Sequence, residues 1–165
     1  MNATLAAAIA PAPEIVWRPM RDTDIANVAA IEAAVHLAPW TSGNFRDALA
    51  AGYGATVGEA NGSIVAYGVL MFAPGEAQLL NLTVVDMLRR RGIGRALLRR
   101  FLGDAAALGA DQCFLEVRAS NVAAINLYSA EGFVPVARRP GYYPAARTGD
   151  AREDALVLRH ALRIR

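Results

Sequence analysis

A turn rich in arginine and glycine, at residues 89–95, constrains the fold of this chain more than any other stretch. Its sequence is Arg-Arg-Arg-Gly-Ile-Gly-Arg. It follows an apolar run at 78–85 that is typical of a strand, and it precedes a run at 96–102 with helical spacing of apolar residues. The first N–H groups of a helix have no internal partner and lie at the positive end of its dipole, so the turn predicts a site for phosphate or pyrophosphate.

The glycine spacing in this turn excludes two familiar phosphate motifs. No Gly-Lys-Ser/Thr follows, so the turn is not a Walker loop. The Gly-x-Gly-x-x-Gly spacing of dinucleotide sites is also absent. Taken alone, Gly92 and Gly94 are also compatible with a tight turn that carries a solvated arginine face.

Composition limits the classes of protein to which the chain can belong. With 165 residues, of which 55% are hydrophobic and 19% charged, it has the makeup of a compact globular protein. A net charge of +2 is small for a protein that binds nucleic acid by charge alone, and no RNA contact is predicted. Cys113 is the only cysteine, which excludes an intramolecular disulfide and fits a cytoplasmic location. One cysteine and two distant histidines predict no metal site, and no apolar run predicts a membrane span.

The pattern along the chain predicts a disordered tail at 1–13 and a single domain at 14–165. Asn61-Gly62 between two β-type runs indicates a hairpin. A strand, a helix and a second apolar strand at 113–117 indicate a crossover between two parallel strands. The predicted strands lie at 15–18, 56–59, 64–72, 77–84, 113–117, 133–137 and 155–162, the helices at about 25–35, 42–49, 94–108 and 121–131, and a long loop at 140–154.

Four motifs in this order resemble the GNAT acetyltransferase superfamily. They are Arg89-x-x-Gly92-x-Gly94, Leu-Glu-Val-Arg-Ala-Ser-Asn at 115–121, Asn126-Leu127-Tyr128 and Glu131-Gly132-Phe133. The resemblance runs from about residue 15 to 162. It implies an α/β (α+β mixed) fold, with a mixed, mostly antiparallel sheet of about seven strands flanked by about four helices.

Further motifs are similar to the narrower RimI-type group of this superfamily. They are the 115–121 run, Pro39-Trp40, Tyr142-Tyr143-Pro144 and Arg-Glu-Asp-Ala at 152–155. That group acetylates the N-terminal alanine of ribosomal small-subunit protein 18. The resemblance therefore implies that the acceptor is the N-terminus of a protein, and that this protein partner is a ribosomal protein.

The resemblance also implies acetyl-coenzyme A as cosubstrate. By resemblance to the family, the pyrophosphate is expected to bind the turn. The pantetheine arm and the thioester are expected to bind the backbone of the preceding strand. A later loop is expected to add one further contact. The residues concerned are Arg90, Arg91, Gly92, Ile93, Gly94 and Arg95 in the turn, Leu82, Thr83 and Val84 in the strand, and Asn121 in the loop.

Glu116 is the candidate general base. It lies near the carboxyl end of a parallel strand, where open α/β sheets place ligands. A carboxylate in an apolar strand needs a partner, because burying it unpaired is costly. A structural ion pair with Arg118 or another arginine is the alternative, and the family position favours catalysis.

Tyr128 is the candidate general acid. Family position implies that it protonates the departing thiolate or holds it by a hydrogen bond. A phenol with a pKa of about 10 is a weak donor to a thiolate of about 8.5, which favours the hydrogen bond. The alternative is an ordinary aromatic on a helix face. No covalent acyl-enzyme is needed, and Cys113 is predicted to be a small core residue.

The acceptor is constrained by amine basicity. An α-amine has a pKa of about 7.7–8.0 and lysine about 10.4, so roughly one α-amine in ten is neutral at pH 7. A single glutamate therefore suits an N-terminal amine without excluding lysine. A long loop at 145–151 leaves lysine, a small amine or an antibiotic as alternative acceptors, and the arginines leave a non-catalytic RNA-binding module as another class.

Three aromatic residues, Trp40, Tyr142 and Tyr143, are candidates for contacting the acceptor. Loop anchoring or ordinary packing explains each of them equally well. His36 and His160 are predicted to be ordinary surface or packing residues.

Overall fold

The computed structural model describes residues 11–162. Seven strands form one sheet in the order β1-β2-β3-β4-β5-β7-β6. Neighbours are antiparallel except for β4 and β5, which are parallel. The strands are β1 (Val16–Pro19), β2 (Gly54–Ala60), β3 (Ser63–Ala73), β4 (Glu76–Val84), β5 (Gln112–Arg118), β6 (Val134–Tyr143) and β7 (Glu153–Ala161), and the helices are α1 (Ile25–Val35), α2 (Ser42–Ala50), α3 (Ile93–Ala107) and α4 (Val122–Ala130).

The mixed, mostly antiparallel fold predicted from the sequence is confirmed. The predicted hairpin turn is also present, with positive φ angles of 50° at Asn61 and 78° at Gly62. Residues 1–10 of the predicted disordered tail lie outside the described part of the chain. Between residues 11 and 162, no helix has the length and apolar character needed to cross a membrane.

The contacts of successive residues in β3 show which helices lie on each face of the sheet. Tyr67 and Val69 pack in a buried cluster with residues of α1 and α2. Between them, Gly68 faces α3, where an added Cβ would lie 2.6 Å from the Phe101 ring. Because side chains alternate along a strand, α1 and α2 cover one face, while α3 and α4 cover the other.

Strands β4 and β5 separate halfway along their length. Val69 of β3 pairs with Asn81 and Leu70 with Leu79, so Leu80 is an extra residue that forms a bulge. Pairing between β4 and β5 ends at the same level, at Leu79 and Leu115. A bulge bends its strand, and the carboxyl halves of β4 and β5 therefore part and leave a cleft between them.

The far edge of the sheet differs from the sequence prediction. Strand β6 continues to Tyr143, whereas the sequence predicted a loop from residue 140 onward. The proline and glycine at 140 and 141 stand in an irregular stretch where the register with β7 shifts between Arg139 and Tyr143. An edge strand tolerates such a bulge because its outer side has no ladder partner. Only 144–152 remains a loop.

Candidate active site

A cleft of about 200 Å³ lies between the parted ends of β4 and β5. Helix α4 forms one side, and α1 with the loop that follows it forms the other. Sequence-predicted residues that line it are Trp40, Leu82, Glu116, Asn121, Tyr128 and Tyr143. The fold thus brings residues from four separate motifs into one concave site.

Glu116 stands on β5 between the buried residues Leu115 and Val117. Its side chain is 16% exposed, and its Oε1 lies 3.1 Å from Nη1 of Arg139 on β6. A hydrogen bond to Glu116, together with partial burial and the charge of the carboxylate, raises the pKa of Tyr142. The ion pair that the sequence offered as an alternative to catalysis therefore exists, with Arg139 as partner. It leaves Glu116 on the cleft wall, so the two roles are compatible.

Arg118, two residues after Glu116 on β5, also lines the cleft and contacts the loop after β6 and the start of β7. Its Nη1 donates hydrogen bonds to Glu153 at 3.1 Å and to the Pro144 carbonyl at 3.2 Å. Its guanidinium lies 4.4 Å from the centre of the Tyr143 ring. Burial, aided by the charge of Glu116, raises the pKa of Tyr143 to about 12. Tyr143 is therefore a fixed, neutral phenol in the cleft.

Tyr128 lines the cleft from α4 and is only 8% exposed. Its ring packs against Phe133, with centroids 5.7 Å apart. Burial raises the pKa of Tyr128 well above its ordinary range. The hydroxyl therefore keeps its proton at neutral pH and can donate a hydrogen bond.

The glycine turn leads from the end of β4 into α3. Positive φ angles of 61° at Arg90 and 81° at Gly92 shape it. The Ala96 N–H donates to the Gly92 carbonyl, so the N–H groups of Ile93, Gly94 and Arg95 precede the intrahelical ladder. These N–H groups are available as donors, and the phosphate site predicted from the sequence stays a prediction.

The arginine side chains next to this turn have partners of their own. Arg95 pairs with Glu131 at 2.9 Å, and Arg89 pairs with Asp86 at 2.9 Å. These ion pairs tie the Arg89 and Arg95 side chains to neighbouring carboxylates and so help to fix the turn. Arg91 lies in the same turn and is half-buried.

Thr83 and Asn121 also have contacts within the protein. Asn121 caps α4, since its side-chain oxygen accepts a hydrogen bond from the Ala124 N–H at 3.2 Å. The Thr83 hydroxyl lies 2.8 Å from Nε2 of His36. The side chain of Thr83 is thus turned toward α1.

Two titratable residues of the cleft, Glu32 and His36, were not predicted from the sequence as site residues. His36 was predicted to be an ordinary surface or packing residue, but it lines the cleft and bonds Thr83. A signal for Glu32 existed: it lies four residues after Val28 on the buried stripe of α1. A carboxylate at such a position is as informative as Glu116 in its apolar strand.

Trp40 lines the cleft and also anchors the loop after α1, while its contact with the acceptor stays a prediction. Its ring lines the cleft and also packs against Phe45, with centroids 5.2 Å apart. Its backbone N–H donates to Glu32 at 3.1 Å. Among residues 11–162, no group of three or more His, Cys, Asp and Glu side chains could hold a metal ion.

The chain matches a family of acyl-group transferases. The chain belongs to the acetyltransferase (GNAT) family, whose model matches residues 22–133. It is 35% identical over 139 residues to the [ribosomal protein bS18]-alanine N-acetyltransferase of Escherichia coli strain K12, which covers 84% of this chain and 92% of that protein.

Solved structures agree with this assignment. The crystal structure of the ribosomal-protein-S18-alanine N-acetyltransferase from Escherichia coli matches with a TM-score of 0.84 and 32% identity, over 92% of this chain and 96% of that one. Ard1 from Thermoplasma volcanium matches with a TM-score of 0.80 and 26% identity, over 90% of this chain and 98% of that one.

Proposed function

We propose that this chain transfers the acetyl group of acetyl-coenzyme A to a protein N-terminal amine, and that its acceptor is the N-terminal alanine of ribosomal protein bS18. The cleft carries the proposal, because it places Glu116 and Tyr128 beside the parted ends of β4 and β5. The likeness to the Escherichia coli relative over most of both chains supports the acceptor. The cytoplasm, where ribosomes work, is the matching location.

The donor fits the glycine turn and the exposed edge of β4. Backbone N–H groups of residues 90–95 would hold the pyrophosphate. The backbone of Leu82, Thr83 and Val84 lies beyond the last pair with β5 and can bond the pantetheine arm and the thioester carbonyl. Gly94 leaves room there, since a Cβ at this position would point toward Leu127, Val84 and Leu82 at 3.5–3.7 Å.

Attack on the thioester is direct in this proposal. Glu116 accepts a proton from the acceptor nitrogen, through a water, and Tyr128 acts as the general acid toward the departing sulfur. Because burial raises the pKa of Tyr128, a hydrogen bond to the sulfur is favoured over full proton transfer. Cys113 does not fit a covalent route, since it is buried in the core and burial raises its pKa to about 11.

Purified protein, acetyl-coenzyme A and a peptide with the first residues of bS18 provide the test. We expect thiol release and a mass increase of one acetyl group at the α-amine. The same peptide with a blocked N-terminus and an internal lysine should remain unmodified. Preference for lysine, a small amine or an antibiotic would contradict the proposed acceptor, and no turnover with any amine would contradict the reaction.

A further inference from the structure

A chain of hydrogen bonds forms the α1 side of the cleft. It consists of Glu32, Tyr67, Asn81, Thr83 and His36, and is called the Glu32 network below. Glu32 accepts from the Tyr67 hydroxyl at 2.6 Å and from the Asn81 amide at 3.1 and 3.2 Å. Thr83 lies 3.0 Å from the Asn81 side-chain oxygen and 2.8 Å from Nε2 of His36.

Glu32 is a buried carboxylate whose hydrogen-bond donors are neutral. Its side chain is 3% exposed, and its donors are the Tyr67 hydroxyl, the Asn81 amide and the Trp40 N–H. Within residues 11–162, the one group beside it that can carry a positive charge is His36, whose Nε2 lies 3.6 Å from Oε2. A buried carboxylate normally has a cationic partner, and His36 is the neighbouring side chain placed to supply one.

The bonds in the Glu32 network assign the hydrogen on His36. Because the Asn81 amide nitrogen faces the Glu32 carboxylate, its oxygen faces Thr83 and can only accept. With the single hydroxyl hydrogen of Thr83 directed to Asn81 rather than to Tyr67, which also lies within its reach, the Thr83 oxygen accepts from His36. His36 therefore carries its hydrogen on Nε2, which leaves Nδ1 as the basic nitrogen of the neutral ring.

The His36 ring is accessible from the cleft. Its side chain is 38% exposed in the cleft, and Nδ1 has no hydrogen-bond partner among the described residues. Burial and the bond to Glu32 raise the pKa of Tyr67, which remains a donor to the carboxylate. The charged and titratable groups facing it across the cleft are Glu116, Arg118, Tyr128 and Tyr143.

We propose that His36 is a second base, which takes a proton from the acceptor's ammonium group before attack while Glu32 stabilises the resulting imidazolium. This inference rests on the proposed acetyl transfer. An incoming –NH3⁺ loses two protons: the first passes to Nδ1 of His36, and the second, after the C–N bond forms and the C–S bond breaks, passes to Glu116. One proton ends on the coenzyme A sulfur and the other is released to solvent, so the reaction balances.

The test compares two acceptors that differ in amine basicity. One peptide begins with alanine; the other begins with trifluoroalanine, whose electron-withdrawing group leaves the amine largely neutral at pH 7. His36→Gln should lower kcat/KM for the alanine peptide at pH 7 by about tenfold, because roughly one α-amine in ten is already neutral and can react without His36. For the trifluoroalanine peptide kcat/KM should stay within about twofold of the wild-type value, because no ammonium proton needs to be removed.

The matched control is His160→Gln, which replaces the only other histidine, on β7 outside the cleft lining. It should leave both rates unchanged, and calorimetry should give wild-type acetyl-coenzyme A binding for His36→Gln. Equal loss with both peptides, no loss with either, or the same pattern in His160→Gln would overturn the role of His36. Failure of the wild-type protein to acetylate either peptide would instead contradict the proposed function.

Discussion

Glu116 on β5 and Arg139 on β6 form an ion pair, with Oε1 3.1 Å from Nη1. The two strands are not neighbours, since β7 lies between them in the sheet. The Arg139 guanidinium is 54% exposed and also lies 5.3 Å from the centre of the Tyr142 ring. The edge strand thereby orients the proposed base from across β7.

Glu116→Gln tests the proposed base directly. Glutamine keeps the size of the side chain and an acceptor oxygen for Arg139, but it cannot take up a proton. We expect kcat to fall by about 10²- to 10⁴-fold, the usual contribution of a general base, with little change in acetyl-coenzyme A affinity. Steady-state kinetics with an alanine-initial peptide provide the measurement.

Glu59→Gln is the matched control for that variant. Glu59 is also partly exposed and paired with an arginine, Arg18, but it lies on β2 away from the cleft. We expect its kcat to match that of the wild-type protein. A Glu116→Gln enzyme with kcat within about threefold of the wild type would rule out Glu116 as the base, since that is far below a base's usual contribution.

Tyr128→Phe removes the proposed donor to the departing sulfur and keeps the ring that packs on Phe133. A hydrogen bond to a charged group contributes about 1.5–3 kcal/mol, so kcat should fall by about 10- to 100-fold. Acetyl-coenzyme A binding, measured by calorimetry, should remain. Tyr53→Phe is the control, because Tyr53 lies across β3 from the cleft, and its kcat should equal that of the wild-type protein. An unchanged kcat in Tyr128→Phe would exclude Tyr128 as the general acid.

Gly94→Ala tests where the donor binds. The fold can accept the methyl group, because its nearest neighbours would lie at 3.5 Å or more. Acetyl-coenzyme A affinity should fall by about tenfold or more, since the methyl would occupy the floor of the site at a cost of about 1–3 kcal/mol.

Gly103→Ala in the same helix is the control, since an added Cβ there meets nothing within 4 Å. It should raise the free energy of unfolding by about 0.5–1 kcal/mol and leave acetyl-coenzyme A binding unchanged. Equal affinities for the two alanine variants would place the donor elsewhere.

Much of the fold could be predicted because its signals are local. The Asn61-Gly62 turn, the left-handed Gly109 after α3 and the Asn121 cap each act within a few residues. The extension of β6 through Tyr143 could not be predicted, because proline and glycine at 140 and 141 indicate a loop. Pairing with β7 overrides that local preference.

The proposed donor site could be inferred from the sequence more easily than the α1 side of the cleft. The glycine turn is one continuous segment, whereas the Glu32 network joins α1, β3 and β4. Its bonds connect residues such as Glu32 and Asn81 that lie far apart in sequence. The partner of Glu116 could not be predicted for the same reason. The sequence indicated an arginine, but Arg139 lies far from Glu116 along the chain.

Asp24→Asn tests an ion pair that fastens β1 to the start of α1. Hydrogen bonds from Arg18 hold the pKa of Asp24 below its ordinary value of 3.8. Because the folded-state pKa is lowered, the pair stabilises the fold above that ordinary value, and this contribution is lost as the pH falls through the folded-state pKa. Urea unfolding should therefore give a lower free energy of unfolding for the variant at pH 7, and the difference from wild type should disappear in acid.

Asp104→Asn, an exposed change on α3, is the control, and its free energy of unfolding should stay close to that of wild type at every pH. A gap between wild type and Asp24→Asn that stays constant down to acid pH would show that the carboxylate charge of Asp24 is not what stabilises this corner.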